Sequence, residues 1–139
     1  MSESQPFSIP YRTFVEGDTP RPYLYLLVTG INGQSGPIPG IVDSGADSTS
    51  LPFAYADLMG YDDSTLVEEI FGQAEGTGIG YKAIKPSIAF VPEIPDSSFE
   101  FFPQFIRNSD TALWGRMDFM MHFEVTIQEF NQVFTILPI

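Results

Sequence analysis

The stretch Ile41-Val42-Asp43-Ser44-Gly45-Ala46-Asp47-Ser48-Thr49-Ser50-Leu51-Pro52 decides how the rest of the chain is read. An apolar run from Ile38 to Val42 ends in Asp-Ser-Gly-Ala, so it delivers Asp43 to a strand end, where Gly45 lets the backbone turn tightly. The tripeptide alone is a weak signal, because ordinary residue frequencies produce Asp-Ser/Thr-Gly in roughly one chain in ten or twenty of this length. A second element strengthens it. Ala112-Leu113-Trp114-Gly115-Arg116 lies about seventy residues further on and is expected to open a short helical segment.

With 139 residues, of which 43% are hydrophobic, the chain can bury one independent core and is too short for two domains of ordinary size. A single domain over residues 11–139 is expected, preceded by a mobile arm over residues 1–10. No run approaches the ~18–20 apolar residues of a membrane helix, and Met1-Ser2-Glu3-Ser4-Gln5-Pro6 lacks the basic start and apolar centre of a secretory signal. A soluble, cytoplasmic protein is therefore expected. The chain has no Cys, which removes disulfides, thiolate catalysis and cysteine metal sites together. Six Lys and Arg against eighteen Asp and Glu give a net charge of −12, which repels phosphate backbones and anionic lipid. Neither nucleic acid nor a membrane is an expected partner.

Twelve Pro and twelve Gly punctuate short alternating apolar runs, the pattern of an all-β barrel or sandwich. Tyr23 to Val28 reads as a strand, Asn32-Gly33 as its turn and Ile38 to Val42 as its return. Pro52 to Met59 reads as a short helix with Ser50 as N-cap and Gly60 as stop. Glu68 to Phe71 and Tyr81 to Val91 read as strands flanking the Gly-rich Gly76-Thr77-Gly78-Ile79-Gly80. A further strand is expected over Phe99 to Ile106 and a helix at about Asp118 to His122. Phe123, Val125 and Ile127 alternate as a half-buried strand does, and Val133 to Leu137 reads as a last strand whose apolar edge would be exposed without a dimer.

Other constellations carry less. His122 is the single histidine, no Gly-x-Ser-x-Gly elbow exists to support a Ser-His-Asp triad, and a helix-surface His is the simpler reading. Asp62-Asp63 and Glu68-Glu69 lack the spacing of a calcium loop and read as solvated charges. Gly76-x-Gly78-x-Gly80 lacks the spacing of a dinucleotide-binding loop. The phenylalanines at 99, 101, 102 and 105 suit either a core or an apolar groove, with burial the simpler reading. No metal or cofactor is expected.

Asp43-Ser44-Gly45-Ala46 and Leu113-Trp114-Gly115-Arg116 resemble the catalytic loop and the hydrophobic-hydrophobic-Gly-Arg element of retropepsin-type aspartic peptidases. The resemblance covers roughly residues 20–139 and is closest in pattern to the bacterial retropepsin-like proteins. It implies an all-β fold, a small closed barrel with one or two short helices, and an active site at a two-fold dimer interface. Such enzymes hydrolyse peptides with two carboxyls that share a proton, one acting as acid and its partner as base. This chain carries one Asp-Ser-Gly, so the resemblance implies a homodimer that pairs Asp43 with its copy.

Residue roles follow from the same resemblance. Ser44 would bond across the dimer axis, and Gly45 would leave room for the dyad. Ala46, Asp47 and Ser48 would hold substrate backbone. Gly78, Ile79 and Gly80 would belong to a flap over the substrate with Ile79 at its tip, although an ordinary Gly-rich hairpin reads equally well. Leu113, Trp114, Gly115 and Arg116 would support the loop from beneath, with Arg116 paired to Asp47. Trp114 is larger than the usual aliphatic, and Met117-Asp118 differs from the acidic or amide residue that commonly stands directly after the Arg, so unusual local packing is expected there. The implied function is a homodimeric aspartic endopeptidase acting on extended polypeptide. The alternative is a non-catalytic dimeric peptide-binding or scaffold protein on the same fold.

Overall fold

The computed structural model describes residues 6–73 and 76–139. In chain order the strands are β1 (Phe7–Pro10), β2 (Tyr23–Thr29), β3 (Ser35–Val42) and β4 (Ser50–Pro52), followed by a five-residue helix α1 (Ala54–Leu58). Next come β5 (Leu66–Gln73), β6 (Gly76–Ala83), β7 (Ser87–Phe90), β8 (Phe99–Phe101), β9 (Gln104–Ile106), β10 (Ala112–Trp114), β11 (Phe123–Gln128) and β12 (Val133–Pro138). Among the described residues no helix is long and apolar enough to cross a membrane.

Alternation builds the centre of the fold. Leu24, Leu26 and Val28 of β2 point inward while Tyr23, Tyr25 and Leu27 are half-buried, the period of two that a pleated strand imposes. The β2–β3 hairpin pairs Leu26 with Ile38 across a turn in which Gly33 takes a φ of +81°. Leu26, Phe105, Trp114, Phe119 and Phe134 are wholly buried and form the centre of one hydrophobic cluster. Phe99 packs beside Phe119 and Phe123, and the His122 ring stacks on Phe99 at 5.0 Å. Phe99, Phe101 and Phe105 are thus core residues, whereas Phe102 is exposed.

The all-β class holds, but closure does not. Hydrogen bonding gives a nine-stranded sheet in the order β5-β6-β9-β4-β10-β3-β2-β7-β8 and a separate three-stranded sheet β1-β12-β11, with no closed barrel among the described residues. Phe7 to Pro10, read from sequence as part of an arm, form β1 because they pair with β12 from Phe7↔Ile136 to Pro10↔Val133. The last strand consequently lies between two neighbours of its own chain, so it is not the edge expected to be exposed without a dimer.

Local corrections have local causes. Ser50 is a strand residue of β4, not a helix cap; α1 starts after Phe53. The run from Phe99 to Ile106 splits into β8 and β9 at Phe102-Pro103, where proline has no N–H to continue a ladder. Tyr81 to Val91 likewise divides, β6 ending at Ala83 and β7 beginning at Ser87, directly after Pro86. The Gly-rich segment is not a loop between strands but part of β6. No helix forms over Asp118 to His122. There the Met120 N–H reaches Gly115 O and the His122 N–H reaches Phe119 O, a succession of turns without the four-residue repeat of an α-helix.

Candidate active site

Strand β10 lies between β3 and β4, parallel to β3 in the register Gly40↔Ala112, Ile41↔Leu113 and Val42↔Trp114, and antiparallel to β4 at Leu113↔Ser50. This insertion puts the end of β10 beneath the chain as it leaves β3. The half-buried Asp43 follows at once, its N–H donating to Trp114 O at 3.1 Å. One carboxylate oxygen, Oδ1, accepts the Gly45 N–H at 2.8 Å, and the Ala46 N–H closes the turn on Asp43 O at 3.2 Å. Ser44 and Gly45 are exposed, Ala46 and Ser48 half-buried, and Asp47 exposed.

The segment after β10 holds this loop through its backbone. The Arg116 N–H donates to Ala46 O at 2.9 Å and the Met117 N–H to Asp47 O at 2.7 Å. Gly115 is required for the approach: a Cβ there would sit 2.5 Å from Ser48 O and 2.8 Å from Ser48 Cα, inside any van der Waals contact. The structure therefore brings together Asp43 to Ser48 and Trp114 to Arg116, while Leu113 is half-buried between Ile41 and Ser50.

The hairpin β5–β6 carries the three remaining sequence-derived candidates. Gly78 faces Phe71, Ile79 faces Ile70 and Gly80 faces Glu69 across the ladder, and β6 joins the sheet through Gly80↔Ile106 to Lys82↔Gln104 on β9. Ile79 lies within β6, well inside the last ladder pair Gln73↔Gly76. It is not the hairpin tip.

Arg116 does approach Asp47, with Nη1 3.6 Å from Oδ1, but both side chains are largely solvent-exposed at 60% and 83%. A single contact of this kind in water contributes little. We expect Arg116→Ala to cost no more than about 1 kcal/mol, and a double-mutant cycle with Asp47→Ala in denaturant unfolding to show coupling within the same limit. Coupling near ~3 kcal/mol would mean that the pair, and not the backbone, fastens the loop.

Two residues of this region have no role assigned by the sequence reading. Thr49, 1% exposed, and the half-buried Asp118 bond to each other through both the N–H and the hydroxyl of Thr49. The one sequence signal nearby is the departure at Met117-Asp118 from the residue type usual after the Arg. Among the described residues no group of three or more carboxylates and histidines converges to hold a metal ion.

This architecture, an acidic loop at a strand end fastened by an inserted strand and its glycine, is a retropepsin-like fold. The chain matches a retropepsin-like aspartic protease from Rickettsia conorii at a TM-score of 0.60 and 17% identity, covering 94% of this chain and 98% of the other. It also matches EIAV protease complexed with the inhibitor HBY-793 at a TM-score of 0.48 and 17% identity, covering 76% and 88%. No protein-family model and no curated protein matches the sequence.

Proposed function

We propose that this protein is an aspartic endopeptidase that works as a homodimer, with Asp43 of each copy supplying one half of a carboxyl dyad. The observation that carries this reading is the Asp43 loop itself: a strand-end aspartate whose Oδ1 is fixed by the Gly45 N–H and whose backbone is pinned by β10. A fixed oxygen orients the carboxyl, leaving the other oxygen to exchange protons. One ionised Asp43 takes a proton from water as the water oxygen adds to the peptide carbonyl carbon. The C–N bond then breaks as a proton passes to the departing nitrogen, and the dyad returns to its singly protonated form.

Ser44 bonds across the two-fold axis in this scheme, and Ala46, Asp47 and Ser48 offer backbone groups to the substrate. An extended polypeptide is the natural ligand, because strand addition satisfies its main chain between the loop and the β5–β6 hairpin, where Gly78, Ile79 and Gly80 line one strand. No cofactor takes part.

Sedimentation is the first test. The purified protein should run at about twice its 15.5 kDa monomer mass, cleave a diverse peptide library, and be blocked by a statine-type compound whose hydroxyl occupies the place of the attacking water. A strict monomer at micromolar concentration, with or without peptide, would overturn the dyad. A dimer that binds library peptides without cleaving them would instead favour the scaffold alternative.

A further inference from the structure

We propose that Asp118 is a positioning residue for the reaction at Asp43, acting through Thr49 to hold the loop in its working geometry; this rests on the aspartic-peptidase reading above. Asp118 Oδ2 accepts the Thr49 N–H at 2.9 Å, and Oδ1 accepts the Thr49 hydroxyl at 2.6 Å and the Phe119 N–H at 2.7 Å. The Thr49 hydroxyl has one proton, which it gives to Asp118, so its oxygen is free to accept the Gly115 N–H at 3.1 Å. One carboxylate and one hydroxyl thereby satisfy the backbone amides of Thr49, Gly115 and Phe119.

Those three amides sit at the points that matter. Thr49 is the residue at which the Asp43 loop enters β4, and Gly115 and Phe119 bracket the segment whose Arg116 and Met117 amides hold Ala46 O and Asp47 O. Releasing Thr49 frees the far end of the loop. Releasing Gly115 frees the backbone that carries Trp114 O, the acceptor of the Asp43 N–H. The two Thr49–Asp118 bonds, at 2.9 and 2.6 Å, run from a buried residue to a carboxylate, so they hold the loop more firmly than the exposed 3.6 Å contact between Arg116 and Asp47. The acid that anchors the loop is thus Asp118, bonded to Thr49 through both carboxylate oxygens.

Thr49 offers the cleaner variant. Thr49→Val keeps the shape of the side chain but removes the hydroxyl, leaving the Gly115 N–H and Asp118 Oδ1 each short of a partner; Thr49→Ser keeps the hydroxyl. Asp118→Asn is the companion change, since its amide nitrogen must face at least one donor N–H or O–H.

The test combines steady-state cleavage of a library peptide with amide exchange on the full-length protein. We expect kcat to fall about 100-fold in Thr49→Val, the scale on which small displacements of a reacting group act. KM should change by less than about threefold, and Thr49→Ser should stay within about threefold of the parent in both constants. Asp118→Asn should lose at least about tenfold in kcat. Exchange at the Arg116 and Met117 amides should quicken in Thr49→Val and not in Thr49→Ser, while the β11–β12 ladder stays protected. A Thr49→Val enzyme with unchanged kcat, or with Arg116 and Met117 amides as protected as in the parent, overturns the proposal. If the parent cleaves nothing, the peptidase reading fails by itself, and the exchange pattern still decides whether Thr49 and Asp118 hold the loop.

Discussion

Asp43→Asn is expected, on the proposed dyad, to abolish peptide cleavage with a loss of about a thousandfold or more, while leaving the proposed dimer and the unfolding midpoint close to those of the parent. The two side chains are almost the same shape. Asparagine's carbonyl oxygen can still accept the Gly45 N–H, and the backbone bond from residue 43 to Trp114 O is untouched. What disappears is proton exchange, because an amide neither accepts the proton of the attacking water nor donates one to the leaving nitrogen. In the proposed homodimer both halves of the dyad would change at once, so no intact carboxyl would remain to share the work. The measurement is the cleavage rate of the purified variant alongside its sedimentation and thermal unfolding. An undiminished rate would take Asp43 out of the reaction, and a variant that no longer dimerised would make the loss a structural one.

How much of this was legible in the sequence follows from how local each signal is. The Asp43 loop was legible because a β-rich run, an acid and a glycine, close together in the chain, specify a strand end and a tight turn by themselves. The β2–β3 hairpin was legible for the same reason, since alternation and Asn32-Gly33 act over short range. Partners far apart in the chain left no such trace. Phe7 pairs with Ile136, and Thr49 bonds Asp118 from 69 residues away. Neither contact has a period to read.

Two misreadings arose where tertiary bonds override local preference. Asp118-Phe119-Met120-Met121-His122 is adequate helix material, but the Asp118 carboxyl is committed to Thr49, and the chain turns around that anchor. Gly76, Gly78 and Gly80 weaken any strand signal, yet their backbones pair in register with β5, which glycine permits without contributing a side chain. Trp114 stands out in the sequence as a departure from the resembling family. Its accommodation depends on a residue of another strand.

That residue is Gly40, and the pair gives the largest stability effects expected of this fold. Trp114 is fully buried, and its indole reaches across β3 to donate Nε1–H to Leu24 O at 2.9 Å. The crossing point is Gly40, which pairs with Leu24 on one side and Ala112 on the other. A Cβ at position 40 would lie 2.6 Å from indole Cε2 and 2.7 Å from Nε1. A buried, hydrogen-bonded ring has little freedom to yield, so Gly40→Ala should cost about 1–3 kcal/mol by overpacking. Trp114→Leu should cost about 3–5 kcal/mol, from lost burial, a residual cavity and the loss of the indole hydrogen bond to Leu24 O. The two changes should not add. Once the indole is gone, the alanine methyl enters space that the smaller leucine side chain leaves open, so the double variant should be less destabilised than the sum by about 1–2 kcal/mol. On the aspartic-peptidase reading both single variants should also slow cleavage, because Trp114 O accepts the Asp43 N–H and moves with β10. Denaturant unfolding of the parent, the two single variants and the double variant measures the coupling. Strict additivity would mean that the indole does not occupy the space above Gly40, and that β10 admits its tryptophan by some other displacement.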